Sequence, residues 1–273
     1  MNYKELFENK IKNLFFRRKP KENIIFLHLP KAGGTTLRQI FYKQYSHLKS
    51  NEIFTVNRTK ETYKFLDLSD DEKNKIKLLV GHFPFGLHKS MNEYKTYKYI
   101  SFLRNPINRT VSAYNYAKTT KGHDYFKKIN ENKMSLEDYV DELSLPWLNN
   151  GQTKFIAGMQ DFKIDCTEEI FKIAIKNITQ HFLYVGLLEK YDESLLILKN
   201  ELSLQTPYYS RKNETKTIKN EIGEDEKTKI TQHNIFDIRL YEYVLKLHIE
   251  KKEKINFFDL KLNLFKLINS IYG

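Results

Sequence analysis

Five short apolar runs alternate along the chain with longer stretches in which apolar residues recur at helical spacing. The first run, Ile24-Ile25-Phe26-Leu27, is unbroken and rich in Ile. That is the pattern of a strand buried on both faces, and it predicts a strand over about 23–29. Leu78-Leu79-Val80-Gly81-His82 and Tyr97 to Leu103 read the same way, with further strands over about 52–56 and 182–185. Leu37, Ile40 and Phe41 share one helical face, so a helix begins near Thr35 or Thr36 and reaches about Tyr45. Ser69 followed by Asp70, Asp71 and Glu72 has the form of a helix N-terminus and predicts a short helix over about 70–76. Asn105 suits a cap and Pro106 a first helical turn, for a helix reaching about Lys118. Further helices start at Ser135 and Thr167 and span Lys190 to Leu202, and 224–271 reads as two more. Residues 119–134 and 205–223 read as polar loops, and 149–153 as a turn. Strands separated by helices predict an α/β fold: a mostly parallel central sheet flanked by helices, with a helical C-terminal part. Residues 1–22 read as an N-terminal helical extension and 23–273 as a single domain.

Candidate chemistry gathers where strands end, which is where parallel α/β sheets bind ligands. After the first strand comes Pro30-Lys31-Ala32-Gly33-Gly34-Thr35-Thr36. Bare glycine backbone lets an anion approach closely, and the following helix N-terminus points its free N–H groups at it. Lys31 adds a full positive charge, and Thr35 and Thr36 can cap the helix and donate hydroxyls. The spacing is not that of the nucleoside triphosphatase loop, because Lys31 precedes the glycines. A purely structural strand-to-helix turn fits the local residues as well. The third run ends in Gly81-His82, and Phe83-Pro84-Phe85-Gly86-Leu87-His88 makes an aromatic turn after it. The fourth ends at Arg104, with Arg109 and Ser112 at i, i+3 in the helix that follows.

Charge sharpens this picture. The 273 residues carry 46 Lys+Arg against 34 Asp+Glu, a net charge of +12 that suits anionic partners. Most of it is Lys spread along the chain, so the few arginines carry more information than the total. Cys166 is the only cysteine, which excludes a disulfide framework within the chain and fits a reducing, cytoplasmic setting. Residues 1–21 are charged, with Leu14-Phe15-Phe16 as their one apolar cluster, too short for a membrane span. A basic amphipathic helix there could touch a membrane surface or pack on the domain.

In their order and spacing these segments resemble the sulfotransferase family that includes the heparan sulfate 2-O-sulfotransferases and many bacterial relatives. The likeness rests on His28, Pro30 to Thr35, Gly81-His82, Arg104-x-Pro106-x-x-Arg109-x-x-Ser112, Asn150 to Phe155 and Val185 to Ser194. It covers about residues 23–245. Ala32 stands where the family usually has Thr, Asn105 where it has Asp, and Lys154 where it has Arg. The resemblance implies a P-loop-like sulfotransferase fold and the donor 3′-phosphoadenosine 5′-phosphosulfate, with 3′-phosphoadenosine 5′-phosphate as product and no metal. It implies that residues 31–36 hold the 5′-phosphate, that Lys31 stabilises the leaving phosphate, and that Arg104 and Ser112 hold the 3′-phosphate. His82 is then the general base toward an acceptor hydroxyl, carried by a glycan rather than a nucleic acid. Phe83, Phe85, His88 and Lys154 are candidate acceptor contacts, and Tyr208, Tyr209 and Arg211 candidates to close over the donor. Two other readings stay open: a nucleotide kinase-like phosphotransferase with a degenerate phosphate loop, and a non-enzymatic basic binder of glycan or nucleic acid.

Overall fold

The computed structural model describes residues 22–56, 59–91, 96–141, 146–205, 207–209 and 222–272. The expected N-terminal helical extension, apart from residue 22, and most of the 205–223 loop, Arg211 included, lie outside the described residues. In chain order the elements are β1 (Asn23–Leu27), α1 (Gly34–Gln44), β2 (Ile53–Val56), α2 (Thr59–Leu66), α3 (Asp70–Lys75), β3 (Leu78–Gly81) and β4 (Tyr97–Leu103). Then follow α4 (Pro106–Thr119), α5 (Phe126–Asn130), α6 (Leu136–Asp141), α7 (Gly151–Ala157), α8 (Glu168–His181) and β5 (Phe182–Leu187). The last are α9 (Tyr191–Leu202), α10 (Glu224–His233), α11 (Ile235–Glu253) and α12 (Phe258–Tyr272).

The five strands form one parallel sheet in the order β2-β3-β1-β4-β5. The unbroken apolar run explains why β1 is central. Ile24 and Phe26 face one core, with Leu37 and Phe41 of α1 and Leu195 and Leu198 of α9. Ile25 and Leu27 face another, with Ile156 of α7, Ile178 of α8 and Leu240 of α11. All four of these β1 side chains, Ile24 to Leu27, are fully buried, each worth roughly 1.5–3 kcal/mol of apolar transfer. A third cluster joins α4, α5, α6 and α10 beside the sheet.

Several expectations need correction. The stretch 119–134 contains α5, because Ile129 points into the third cluster and organises a helical turn there. The turn expected at 149–153 is the start of α7, and 224–272 forms three helices rather than two. Helix α2 had no expectation attached to it.

The strand order places the crevice. The chain runs from β1 to β2 and β3 on one side, then crosses to β4 on the other. The carboxyl ends of β3, β1 and β4 therefore lie side by side, with the β1 turn in the middle, where the winding direction changes.

Candidate active site

The chain leaves β1 through His28, Leu29 and Pro30 and reverses at Lys31, whose φ of 65° is left-handed. Gly33 follows at φ 76° as the residue before α1. A Cβ on Gly33 would fall 2.4 Å from Leu188 Cδ1, and one on Gly34 would fall 1.9 Å from the His28 ring. The left-handed bend thus favours glycine at 33, and close packing on the His28 ring demands it at 34. Helix α1 begins at Gly34, earlier than expected, so Thr35 and Thr36 lie inside its first turn and do not cap it. With no side-chain cap, the first-turn N–H groups remain to be satisfied from outside the helix. Ala32 is buried, and its N–H donates to the Leu29 carbonyl at 3.3 Å, so it shapes the turn from behind.

Two side chains grip this turn from opposite sides. From the β4 side, Arg104 Nη1 donates to the Lys31 carbonyl at 3.2 Å. Its backbone is itself clamped, since Gln152 accepts from Arg104 N–H and donates to Arg104 C=O, both at 2.9 Å. From the β3 side, His82 Nδ1 lies 2.7 Å from the His28 carbonyl. A carbonyl only accepts, so Nδ1 carries the proton and the lone pair of the neutral ring is at Nε2. The His82 and His28 rings are 4.2 Å apart.

Burial decides the charge states. Desolvation holds His82 below the ordinary imidazole range, and its hydrogen bond to His28 works against that. His28 is driven down to about 2 by burial, with His82 and Arg38 of α1 adding repulsion, so it stays neutral. Lys31 is lowered to about 8, by burial first and then by the neighbouring Arg104. Burial lowers Arg104 as well, with Glu189 opposing it.

Helix α4 lines the other side of the turn. Arg109 Nε donates to the Pro30 carbonyl at 3.2 Å, and the Lys31 ammonium lies 4.0 Å from the centre of the Tyr116 ring. Positions 109, 112 and 116 share one helical face, so half-buried Ser112 stands between these two contacts, beside the turn. Arg109 is buried, with Nη2 donating to the Trp147 carbonyl at 2.9 Å and Nη1 3.8 Å from Asp237 Oδ2.

A reciprocal pair of caps anchors this framework. Asp237 of α11 accepts from the N–H groups of Gln152 and Thr153 at the start of α7. Asn150, just before α7, accepts from Phe236 and Asp237 N–H at the start of α11. Gln152 is thereby fixed where it holds Arg104.

The structure brings Lys31, Gly33, Gly34, Thr35, Thr36, His82 and Arg104 to the β1 turn, and Ser112 lies on the α4 face that carries Arg109 and Tyr116. It does not bring the four expected acceptor contacts to that turn. Phe83 is buried in the core on the α7–α8 side of the sheet. Phe85 packs on Tyr99 and on the ring of Phe182, at the first residue of β5. His88 Nδ1 meets the Tyr99 hydroxyl at 2.9 Å, and its ring lies 5.0 Å from His181. Tyr99 and Phe182 are at the amino-terminal end of the strands. Five residues of strand separate Tyr99 from Arg104, roughly 16 Å at about 3.3 Å per residue. Lys154 is 1% exposed, and its ammonium donates to the Phe162 carbonyl at 2.9 Å. Tyr208 stacks on Phe265, and the Tyr209 hydroxyl donates to Asp192 at 2.6 Å, so both serve the core. Tyr116 and Arg38 were not anticipated. The only sequence sign of Tyr116 was its place one helical turn beyond Ser112.

Comparison with known proteins identifies a family. Residues 15–244 match the sequence profile described as the sulfotransferase family. The chain belongs to that family and is an enzyme of sulfuryl transfer from 3′-phosphoadenosine 5′-phosphosulfate. Among solved structures it is similar to that of mouse sulfotransferase SULT7A1 complexed with PAP, at 14% identity and a TM-score of 0.37, over 88% of this chain and 72% of that one. No curated protein sequence matches the chain. Among the described residues, no helix is long and apolar enough to cross a membrane, and no group of three or more His, Cys, Asp or Glu is placed to hold a metal ion.

Proposed function

We propose that the chain moves a sulfuryl group onto an acceptor hydroxyl, of a carbohydrate in the first place, with His82 as general base and Lys31 as the cation at the leaving phosphate. The observation that carries this reading is the double grip on one turn: His82 on the His28 carbonyl and Arg104 on the Lys31 carbonyl.

The residues fit a doubly phosphorylated donor. Gly33 and Gly34 leave backbone bare at an uncapped helix start. Lys31 rests on an aromatic face and Arg104 on a carbonyl, so neither positive charge is spent on a carboxylate in these contacts. The bound donor supplies an activated sulfuryl group. Residues 33–36 would bind its 5′-phosphate through backbone and hydroxyl groups. Arg104, whose planar fork suits phosphate, and Ser112 would bind its 3′-phosphate. His82 Nε2 takes the acceptor proton as the new O–S bond forms and the old S–O bond breaks. Lys31 stabilises the electron pair left on the phosphate oxygen. Most of the rate enhancement then comes from positioning and charge stabilisation. We place this activity in one domain over 23–273 and, on the single free Cys166, in the cytoplasm.

The test is transfer of labelled sulfuryl from the donor to a panel of glycans, lipids and small alcohols. Sulfation of a glycan that is lost in His82→Ala supports the proposal. Full activity in His82→Ala removes the base, and magnesium-dependent consumption of ATP favours a phosphotransferase.

A further inference from the structure

Tyr116 sits at the mouth of the site, 45% exposed, and is absent from the chemistry described above. Its ring lies under the Lys31 ammonium at 4.0 Å, within the range in which an aromatic face attracts a cation. The contact is held at both ends. Lys31 projects from a turn that Arg104 and Arg109 fasten by its own and the preceding carbonyl. Tyr116 projects from the last turn of α4, and its ring meets His123 edge-on at 5.7 Å. We infer that Tyr116 is a positioning residue for Lys31, its ring face keeping the ammonium charged and aimed at the mouth of the cleft before the donor arrives. The inference rests on the reading of Lys31 as the cation at the donor phosphate.

The need for such a contact follows from what surrounds Lys31. Arg104 faces it from the β4–α4 turn and repels it. Arg109 bonds the adjacent Pro30 carbonyl, with its charge turned toward Asp237, and Glu189 acts on Arg104. His123 meets the ring edge-on. A buried amine beside a guanidinium tends to lose its proton, and a neutral Lys31 would offer little to an anionic leaving group. The quadrupole of the Tyr116 ring opposes that loss without supplying a carboxylate. A carboxylate at this place would pair with Lys31 and compete with the incoming phosphate.

The experiment reads the Lys31 proton directly. Acetic anhydride acylates only the free amine, so the rate of Lys31 acetylation against pH, followed by peptide mass spectrometry, gives its titration midpoint. The unaltered protein should show a midpoint of about 8, and Tyr116→Phe, which keeps the ring, should match it. Tyr116→Leu should lower the midpoint by about half a pH unit, the size of an exposed cation–π contact expressed as a protonation shift. Circular dichroism checks that this half-exposed replacement leaves the fold intact. An unchanged midpoint in Tyr116→Leu overturns the inference, as does an equal fall in Tyr116→Phe. A separate arm adds adenosine 3′,5′-bisphosphate to the unaltered protein. If that ligand binds but does not protect Lys31 from acetylation, the donor-site reading fails, and that outcome is distinct from an unmoved midpoint.

Discussion

Arg104 and Lys31 meet through a carbonyl: the guanidinium of one donates to the backbone of the other at 3.2 Å. The arginine therefore shapes the turn that carries the lysine, and on the proposed reading its remaining N–H groups would meet the donor. Arg104→Ala should weaken binding of adenosine 3′,5′-bisphosphate by about 10- to 100-fold, the worth of a charged hydrogen bond of roughly 1.5–3 kcal/mol. Arg104→Lys should recover little, because an ammonium cannot make the forked contact. Isothermal titration calorimetry reads both variants.

His82→Ala should separate binding from turnover. Adenosine 3′,5′-bisphosphate affinity should stay within a few-fold, since the imidazole holds the turn by one neutral hydrogen bond. The turnover rate should fall by about 10²- to 10⁴-fold, the usual share of a general base.

The pH profile of kcat/KM reports the free enzyme. As the proposed base His82 would act when neutral, and burial depresses its pKa, so activity should fall on the acid side only below the usual imidazole value of 6.5. As the proposed cation Lys31 would act when charged, and burial and Arg104 lower it to about 8, so activity should also fall as pH rises past that value. The plateau lies between. A profile still rising at pH 9 would contradict the role of Lys31.

Gly34→Ala would drive a methyl into the His28 ring, at 1.9 Å in the present geometry. Backbone and ring must shift, at a cost of roughly 1–3 kcal/mol, and His82 moves with the His28 carbonyl. Combining it with His28→Ala removes the obstacle. Urea melts should then show the double variant to be less destabilised than the two single losses summed.

Asp237→Ala should be among the most damaging single changes. It removes the cap of α7 and leaves the Arg109 charge buried without its counter-ion. The expected loss is about 3–5 kcal/mol, seen as a lower thermal midpoint and accompanied by weaker binding of adenosine 3′,5′-bisphosphate as Gln152 releases Arg104.

The strands and the β1 turn were legible because their causes are local. An unbroken apolar run, two glycines and a proline act on their own neighbours, and β4 has the bounds that its apolar run predicted. Lys31, His82 and Arg104 were legible because they follow strands. Lys154 was misread because its near neighbour Gln152 does hold Arg104, while a helix turns successive side chains in different directions. Phe85 and His88 follow His82 in sequence, but the chain after β3 folds back toward the start of β5. The reciprocal caps join residues some 84–87 positions apart, and no pattern within a window of the chain reveals such a pair.

Those caps also bear on when activity appears during synthesis. Gln152 can be set only after α11 has left the ribosome and offered Asp237 to the start of α7. A nascent chain with all five strands already made would still hold its arginine loosely. On the proposed role of Arg104, sulfuryl chemistry would then wait until the later helices dock.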